Sequence, residues 1–300
     1  MKILLRPRPP YDFELHLRSF SFNKPQPEVY ENGVWKRALR LDSGKVLPIR
    51  VKSIGIIKKP KLEVTILKRI SDREKKEVRT KLSWIFNTRM NLEKLYDFMD
   101  TDPILQEVKQ KLNGLRAFNY STVFEGLIKS IIQQQISLIG SMHITNRLIE
   151  RFGDRVKIGK EVYYEFPSPE SLAKASLADL KKCGLSGQKS SYIKEISQRI
   201  VRNKTDLERW KSLSSQEIID KLMKFKGVGR WTAELTVVTS TGKEAFPADD
   251  LGARRAVSKL YFKGKPVSGE KLRKFSNKWG KFRGAIAYYL ICAERLKMLK

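Results

Sequence analysis

The sequence predicts a mainly α-helical protein whose N-terminal part is an α+β domain with a small antiparallel sheet. Two stretches, 45–59 and 61–70, are rich in β-branched residues and are separated by a proline. From about residue 100, apolar residues recur at helical spacing, and capping residues mark the starts of segments. We therefore expect an α+β domain at residues 1–99 and a helical domain at residues 100–300.

Local patterns predict the elements of the N-terminal domain. The two β-branched stretches predict the strands of an antiparallel hairpin. Residues 71–86, SDREKKEVRTKLSWIF, predict a helix with Ser71 or Asp72 as its N-cap. The apolar residues of this stretch fall on one helical face: Val78, Leu82, Ile85 and Phe86.

The helical domain contains several stretches with start and stop signals. Residues 121–140 begin with Ser121 as a cap and carry one wide apolar stripe from Phe124 to Ile136. Residues 167–185 start on proline and serine, and the predicted helix ends at Gly184, since glycine is typical of a helix stop. Two further helical stretches are 214–225 and 279–299.

The charge balance is the strongest compositional signal. The chain has 61 Lys and Arg against 32 Asp and Glu, a formal net charge of +29. Such an excess predicts a polyanionic partner bound through counterion release, and nucleic acid is the best candidate. A thermophile surface rich in Lys and Glu, which the scarcity of cysteine also hints at, would explain the number of charges but not their sign.

Other classes of protein are excluded by composition. No apolar run reaches the ~18 residues of a membrane span, and the apolar stretch at the N-terminus is too short for a secretion signal. We therefore expect an intracellular protein, cytoplasmic or nucleoid-associated. Cys183 and Cys292 are too few for an iron–sulfur cluster, which needs about four cysteines, and the two histidines, His16 and His143, argue against zinc. We expect no intrinsic metal or cofactor.

A glycine-containing hairpin is predicted at about 218–240, where Gly227-Val228-Gly229 forms a tight turn between two helices. Glycine allows another backbone to approach, and the turn amides face outward with the positive end of the second helix. Val228 is expected to pack the turn against its own helices. Basic residues surround the turn: Lys224, Lys226 and Arg230. The pattern predicts a phosphate site, and a turn without a ligand is the alternative.

A pair of adjacent carboxylates follows the hairpin in the stretch EAFPADDLGARR, residues 244–255. The proline interrupts the chain, Asp249 and Asp250 follow it, and a helix resumes at about Leu251. One of these aspartates therefore lies near a helix N-terminus in a protein dominated by positive charge. The plain alternative is that Asp249 serves only as an N-cap.

Together these residues resemble the helix-hairpin-helix (HhH-GPD) superfamily of DNA glycosylases. The shared pattern is a helix, the GVG turn, a helix that starts RWTA, a loop with proline, and an aspartate twenty-two residues after Gly227. Further stretches resemble the 3-methyladenine DNA glycosylase II family: 9–20, 124–137, 166–193 and 279–290. The resemblance covers essentially the whole chain.

The resemblance implies a helical domain of two subdomains with a DNA-facing cleft between them. It also implies a monomer that binds double-stranded DNA with a damaged base, with the hairpin holding the backbone beside the lesion. In this superfamily a monovalent cation, Na⁺ or K⁺, often bridges hairpin carbonyls and a phosphate. Here the carbonyls of Gly227 and Gly229 would supply that site, and no other cofactor is implied.

The resemblance also implies the residues that act on DNA. Asp249 matches the catalytic aspartate, with its neighbour Asp250 as the alternative, and the carboxylate would stabilise positive charge developing on the deoxyribose. Gln135, on the helix at 124–139, matches the wedge that fills the gap left by an extruded base. Gln134 and Ser137 would lie beside it near the DNA. The alternative for Gln135 is an ordinary exposed polar residue.

Three aromatic residues are candidates for the base pocket: Trp231, Phe282 and Trp279. An aromatic face attracts the positive charge of an N-alkylated purine, although such residues at helical spacing also form plain core. Close relatives can have tyrosine where this chain has Leu235 and Asp250. The preferred lesion therefore stays open among 3-methyladenine, 1-methyladenine, hypoxanthine and ethenoadenine.

The residue at position 231 bears on the type of reaction. Bifunctional members of the superfamily have lysine there, which attacks the sugar through a Schiff base. Here the residue is Trp231, and Lys224 and Lys226 lie on the wrong side of the turn. We therefore expect a monofunctional glycosylase of base excision repair that uses water and leaves an abasic site. The alternatives are a bifunctional 8-oxoguanine-type DNA glycosylase/AP lyase and a non-catalytic helix-hairpin-helix DNA-binding protein.

Overall fold

A computed structural model describes residues 1–20 and 24–298, and its N-terminal part is built around a five-stranded antiparallel sheet. The strands are β1 (Lys2–Leu5), β2 (Val29–Glu31), β3 (Val34–Arg40), β4 (Val46–Ser53) and β5 (Leu62–Ile66). Their order in the sheet is β1-β5-β4-β3-β2. The pairing of β4 with β5, which sets Val51 opposite Val64, confirms the predicted hairpin.

Two helices pack with this sheet, α1 (Phe13–Phe20) and α2 (Asp72–Ile85). Helix α2 begins in a capping box, in which Ser71 accepts from the Glu74 amide and the Glu74 side chain accepts from the Ser71 amide. The sheet and helices enclose a core that includes Trp35, Val78 and Phe86. The predicted helix and its Ser71 cap are confirmed.

The rest of the chain is helical apart from one short hairpin. The helices are α3 (Glu93–Met99), α4 (Pro103–Lys111), α5 (Val123–Gln133), α6 (Leu138–Phe152), α7 (Pro169–Lys174), α8 (Leu177–Lys182), α9 (Gly187–Arg202), α10 (Ser215–Leu222), α11 (Arg230–Ser240), α12 (Leu251–Tyr261), α13 (Gly269–Phe275) and α14 (Arg283–Arg295). Strands β6 (Arg155–Ile158) and β7 (Glu161–Tyr164) form the hairpin, and 3₁₀ turns span Glu208–Ser212 and Ser276–Phe282. None of the helices in the described ranges is long and apolar enough to cross a membrane.

The helical part has two separate apolar cores. The first lies among helices α5 to α11 and includes Leu127, Ile193 and Val237. The second joins α3 and α4 to α12, α13 and α14. Leu95 and Met99 of α3 pack in this second core, as does Leu15 of α1, and the division between residues 99 and 100 stays a prediction. The site described below lies where the two helical cores meet.

A buried ion cluster ties the sheet to the first helical core. Arg37 of β3, only 2% exposed, donates to the Glu125 carboxylate at 2.8 Å and also to Glu165. The buried carboxylates hold the pKa of the Arg37 guanidinium above its usual range, against the opposing effect of burial. A buried charge is tolerated only when it is paired and hydrogen-bonded, so this cluster fixes the orientation of the N-terminal domain.

Several helix boundaries differ from the predictions. Helix α5 is capped by Thr122, not Ser121, and ends at Gln133, so Ile136 is exposed instead of continuing the apolar stripe. The chain breaks there because Gln135 adopts a left-handed conformation, with φ of 53°. Residues 167–185 form two helices, α7 and α8, because Ser176 caps a new helix inside the stretch.

Candidate active site

The predicted hairpin is present and joins α10 to α11. Gly227 has φ of +80°, and a Cβ built there would lie 2.1 Å from the Tyr192 ring, so this position requires glycine on two grounds. Val228 is buried and packs in the first helical core, as predicted. Gly229 is the N-cap of α11, with ordinary φ of −87° and open space around it.

The outer face of the hairpin suits a phosphate. Lys226, Gly229 and Arg230 are exposed there. Gly229 has no side chain to cap the first amides of α11, so those N–H groups lack an acceptor from the cap residue. Free amides at the positive end of a helix, with basic side chains beside them, attract anions.

A tryptophan and an aspartate meet at the seam between the two helical cores. Trp231 is half-buried in the first turn of α11, and its buried indole nitrogen makes no hydrogen bond of ordinary geometry among the described residues, although it lies close enough to the Asp250 carboxylate to affect it. Asp250 is the N-cap of α12, and its Oδ1 accepts from the Ala253 amide at 2.9 Å. Burial raises the pKa of Asp250, while the Ala253 and Gly252 amides and the Trp231 indole act in the opposite direction. The seam therefore holds a half-buried carboxylate beside an aromatic ring.

Asp249 is oriented differently from its neighbour. It is exposed, and its Oδ1 lies only 1.8 Å from where a Cβ on Gly269 would be, at the first residue of α13. Asp250, the predicted alternative to Asp249, is therefore the aspartate that lies near Trp231, and the choice of catalytic aspartate stays a prediction. The reason for its position is local, because an N-cap side chain folds back over the start of its own helix and Asp250 directly precedes α12.

The other two predicted pocket aromatics lie in the second helical core. Trp279 is 1% exposed and packs against Phe275 and Tyr261, with ring centroids 5.5 and 6.0 Å apart. Trp279 is thus packed in the core, and its role in the base pocket stays a prediction. Phe282 is half-buried before α14 and contacts the ring of Phe98 at 5.4 Å. A pocket role for Phe282 stays a prediction.

The loop between α5 and α6 borders the hairpin. The Gln134 Nε2 donates to the Gly227 carbonyl and to the Thr232 hydroxyl, both at 2.9 Å. Gln135 is exposed and is not on a helix, unlike the prediction. Ser137 caps α6 by accepting from the Gly140 amide at 3.1 Å. Gln134 and Ser137 thus have structural partners, whereas Gln135 is exposed and its side chain has none within the described ranges.

The two carbonyls predicted to bind a monovalent cation each accept a hydrogen bond. The Gly227 carbonyl accepts from Gln134, and the Gly229 carbonyl accepts from the Ala233 amide at 3.0 Å as the first hydrogen bond of α11. Each carbonyl oxygen keeps a second lone pair, so these hydrogen bonds leave room for a ligand, and the monovalent cation stays a prediction.

Supporting residues that were not expected from the sequence surround the site. Lys189 of α9 donates to the carbonyls of Ile132 and Gln134, at 2.8 and 2.6 Å. Tyr192, one turn further along α9, packs on the hairpin glycine. A proline, serine or glycine pattern could not reveal these contacts, because they join residues far apart in the sequence, more than fifty positions for those of Lys189.

Two helical cores, a glycine hairpin and a carboxylate at the seam define a helix-hairpin-helix protein. Known proteins share this architecture. Residues 128–281 match the family model described as "HhH-GPD superfamily base excision DNA repair protein". A solved structure of a 3-methyladenine DNA glycosylase from Archaeoglobus fulgidus is 36% identical, covers 98% of this chain and 99% of its own, and superposes with a TM-score of 0.88.

Two further relatives indicate the range of the family. A DNA-3-methyladenine glycosylase of Bacillus subtilis is 25% identical over 206 residues, 68% of either chain. An 8-oxoguanine glycosylase/lyase of Clostridium acetobutylicum, solved with DNA, shares the fold with a TM-score of 0.73 at 22% identity over 99% of both chains. The chain belongs to the HhH-GPD superfamily of base excision DNA repair proteins, as its sequence predicted.

Proposed function

We propose that this protein is a monofunctional DNA glycosylase that flips out alkylated purines of the 3-methyladenine type and hydrolyses their N-glycosidic bond. The observation that carries the proposal is the position of Asp250, a half-buried carboxylate that caps the N-terminus of α12, near Trp231 in the first turn of the second hairpin helix. One group supplies the negative charge that the reaction needs, and the other supplies an aromatic face for a cationic base.

Binding would begin at the hairpin. The exposed first turn of α11, with Lys226 and Arg230 beside it, offers amides and positive charge to one phosphate. The net charge of +29 adds a long-range attraction to DNA. Because the first turn of α11 also carries Trp231, a phosphate held there would place the adjoining nucleotide next to the seam.

The damaged base would then leave the stack, which costs a few kcal/mol and costs less for a damaged pair. Gln135 is exposed on the loop beside the hairpin and would occupy the vacated space. In this arrangement the hairpin fixes the backbone, and the neighbouring loop keeps the helix from closing again.

Asp250 would act on the sugar. As the bond between C1′ and the base nitrogen breaks, its electron pair goes to the base and positive charge develops on the deoxyribose. An N-alkylated purine already carries positive charge, so it leaves as a neutral molecule without a general acid. A half-buried carboxylate stabilises the sugar cation strongly because little water screens it. Water then adds to C1′, Asp250 accepts its proton, and an abasic site remains.

Trp231 supports both the lesion class and the type of reaction. The electron-rich face of tryptophan attracts cations, which favours a positively charged purine over a neutral one. A lyase needs an amine near C1′ to form a Schiff base. Helix α11 reads RWTAELTVVTS and has no lysine, and the lysine of α12, Lys259, lies in its last turn, away from Asp250. The 8-oxoguanine enzyme shares the fold, but this feature favours hydrolysis.

Product analysis tests the proposal. Duplexes that carry a single 3-methyladenine-type, 1-methyladenine, hypoxanthine, uracil or 8-oxoguanine base are incubated with the protein and analysed with and without hot alkali. We expect base release from alkylated purines, with strand breaks only after alkali treatment. Cleavage without alkali, or trapping of a covalent complex with borohydride, would show a lyase instead. Tight binding without release of any base would show a non-catalytic protein.

A further inference from the structure

We propose that Lys189 is a positioning residue that holds Gln135 ready to enter the DNA helix, through its grip on the loop between α5 and α6. This inference rests on the proposed function, because it assigns a role within base extrusion. The loop has an unusual backbone conformation, and it contacts both α9 and the hairpin.

Gln135 has an unfavourable backbone conformation for its residue type. Its φ of 53° lies in the left-handed region, which non-glycine residues seldom adopt. The side chain is exposed, so no packing of its own repays the strain. Such strain persists only where the surroundings fix the backbone, and it concentrates at functional sites. The groups that fix the backbone of Gln135 lie on α9 and in the hairpin.

Lys189 fixes the peptide that precedes Gln135. Its ammonium donates to the Ile132 carbonyl at 2.8 Å and to the Gln134 carbonyl at 2.6 Å. The Gln134 carbonyl oxygen belongs to the peptide bond between Gln134 and Gln135. The contact with Lys189 therefore fixes the plane of the peptide that leads into Gln135. Since the carbonyl end of α5 is negative, an ammonium there is well placed.

The position of Lys189 on its own helix is unfavourable apart from this contact. Lys189 is in the first turn of α9, near the positive end of that helix, where a cation is disfavoured. It is half-buried, and the loss of water lowers its pKa. The described residues show carbonyl oxygens rather than a carboxylate as its hydrogen-bond acceptors. A surface lysine for general attraction to DNA would need none of these features.

The same helix face also contacts the hairpin, so the loop and the hairpin are linked through α9. Tyr192, three residues after Lys189, packs its ring on Gly227. Gln134 links the hairpin to α9, because its side chain donates to the Gly227 carbonyl and its own carbonyl accepts from Lys189. These contacts therefore fix the distance between the hairpin amides, which would hold the phosphate, and Gln135, which would enter the DNA duplex.

The test measures base opening separately from catalysis. Lys189→Met, Lys189→Arg, Gln135→Ala and the double variant are compared with Lys182→Met, which removes a well-exposed lysine of neighbouring helix α8. A duplex with 2-aminopurine beside the lesion becomes more fluorescent when the stack opens, and this readout works even if no base is released. Melting temperatures verify folding, and Lys189→Gln, which keeps an N–H donor, replaces Lys189→Met should that variant not fold.

We expect Lys189→Met to reduce both base opening and kcat by about tenfold to a hundredfold, the scale of a small misplacement, while KM changes little. Lys189→Arg should restore most of the loss, and Lys182→Met should behave as wild type. The double variant should be no worse than Gln135→Ala, because both changes act through one side chain. Additive losses, or wild-type opening in Lys189→Met, would overturn the proposal.

Salt dependence separates positioning from a phosphate contact. If Lys189 bound a phosphate, its removal would lower the slope of log affinity against log salt by about one, and the positioning role would be refuted. We expect an unchanged slope. Should the wild type open the stack but release no base, the proposed chemistry fails and the role of Lys189 is still decided by the fluorescence.

Discussion

Arg273 of α13 binds the buried Glu234 of α11 through two parallel hydrogen bonds, each 3.0 Å long. Glu234 is 2% exposed and also accepts from Arg230 at 2.9 Å. Helix α11 belongs to the first helical core and α13 to the second. This bidentate ion pair, the Arg273 fork, therefore joins the two cores three residues after Trp231 in the sequence. It holds the seam at a fixed width.

Replacement of Arg273 should destabilise the protein. In Arg273→Met the buried Glu234 keeps only the half-exposed Arg230, and the loss of charged hydrogen bonds of this kind costs about 2 kcal/mol. Thermal and denaturant unfolding measure the loss. Lys274→Met is the matched control, since Lys274 pairs with Glu270 on an exposed surface, where such pairs contribute under about 1 kcal/mol. Equal effects of the two changes would show that the Arg273 fork does not stabilise the seam.

The two adjacent aspartates should differ sharply in their effect on turnover. Asp250→Asn keeps an N-cap for α12 but removes the negative charge at the seam, so kcat should fall by at least about a hundredfold while binding to damaged DNA persists. Asp249→Asn should retain turnover within about threefold, because that side chain lies over Gly269. Single-turnover base release measures both. An inactive Asp249→Asn variant beside an active Asp250→Asn variant would restore the original assignment.

The pH dependence of the reaction should reflect the environment of Asp250. Burial raises the pKa of Asp250 in the folded protein, and the reaction requires its ionised form. The rate should therefore fall on acidification at a pH above the ordinary aspartate pKa of about 3.9. Rate profiles of the single-turnover step measure this limb. A limb that reappears unchanged in a residually active Asp250→Asn variant would assign it to another group.

The same shift has a consequence for stability. A carboxylate whose pKa is raised by folding destabilises the folded state wherever it is ionised, that is, above its folded pKa. Asp250→Asn should therefore melt at a higher temperature than wild type at neutral pH. The difference should shrink as the pH falls through the folded pKa, because wild-type Asp250 then becomes neutral. A neutral-pH melting temperature below that of wild type would contradict this account.

Much of the fold could be predicted because local patterns carry it. Ser71 with Glu74 three residues on, and the GVG turn with glycines inside it, each specify their structure within a few residues. The β6–β7 hairpin was missed although its signal was present. Its strands are joined by Gly159 and Lys160 alone, a two-residue connection typical of a hairpin.

The parts of the site that could not be predicted depend on contacts across the fold. The QQQIS stretch continues a helical apolar pattern, so nothing local breaks α5 at Gln133 except the capping signal of Ser137. The left-handed turn at Gln135 is held by Lys189, more than fifty residues away. Motif spacing alone also leaves Asp249 and Asp250 unresolved, although here the signal that distinguishes them is local. That choice depends on which residue directly precedes the first turn of α12.

The two glycines of the hairpin should separate stability from DNA binding. Gly227→Ala places a side chain at φ of +80° and drives its Cβ into the Tyr192 ring. The left-handed conformation alone costs about 1–2 kcal/mol, so this variant should lose both stability and affinity for DNA.

Gly229→Ala has an ordinary φ and meets no atom within 4 Å, so its melting temperature should match wild type. Its methyl group would nevertheless occupy the space over the first amides of α11 where a phosphate would bind. Fluorescence anisotropy with an undamaged duplex should therefore show weaker binding by Gly229→Ala in spite of an intact fold. Wild-type affinity in that variant would mean that the phosphate is bound elsewhere and that the exposed basic residues, not the hairpin amides, hold the DNA.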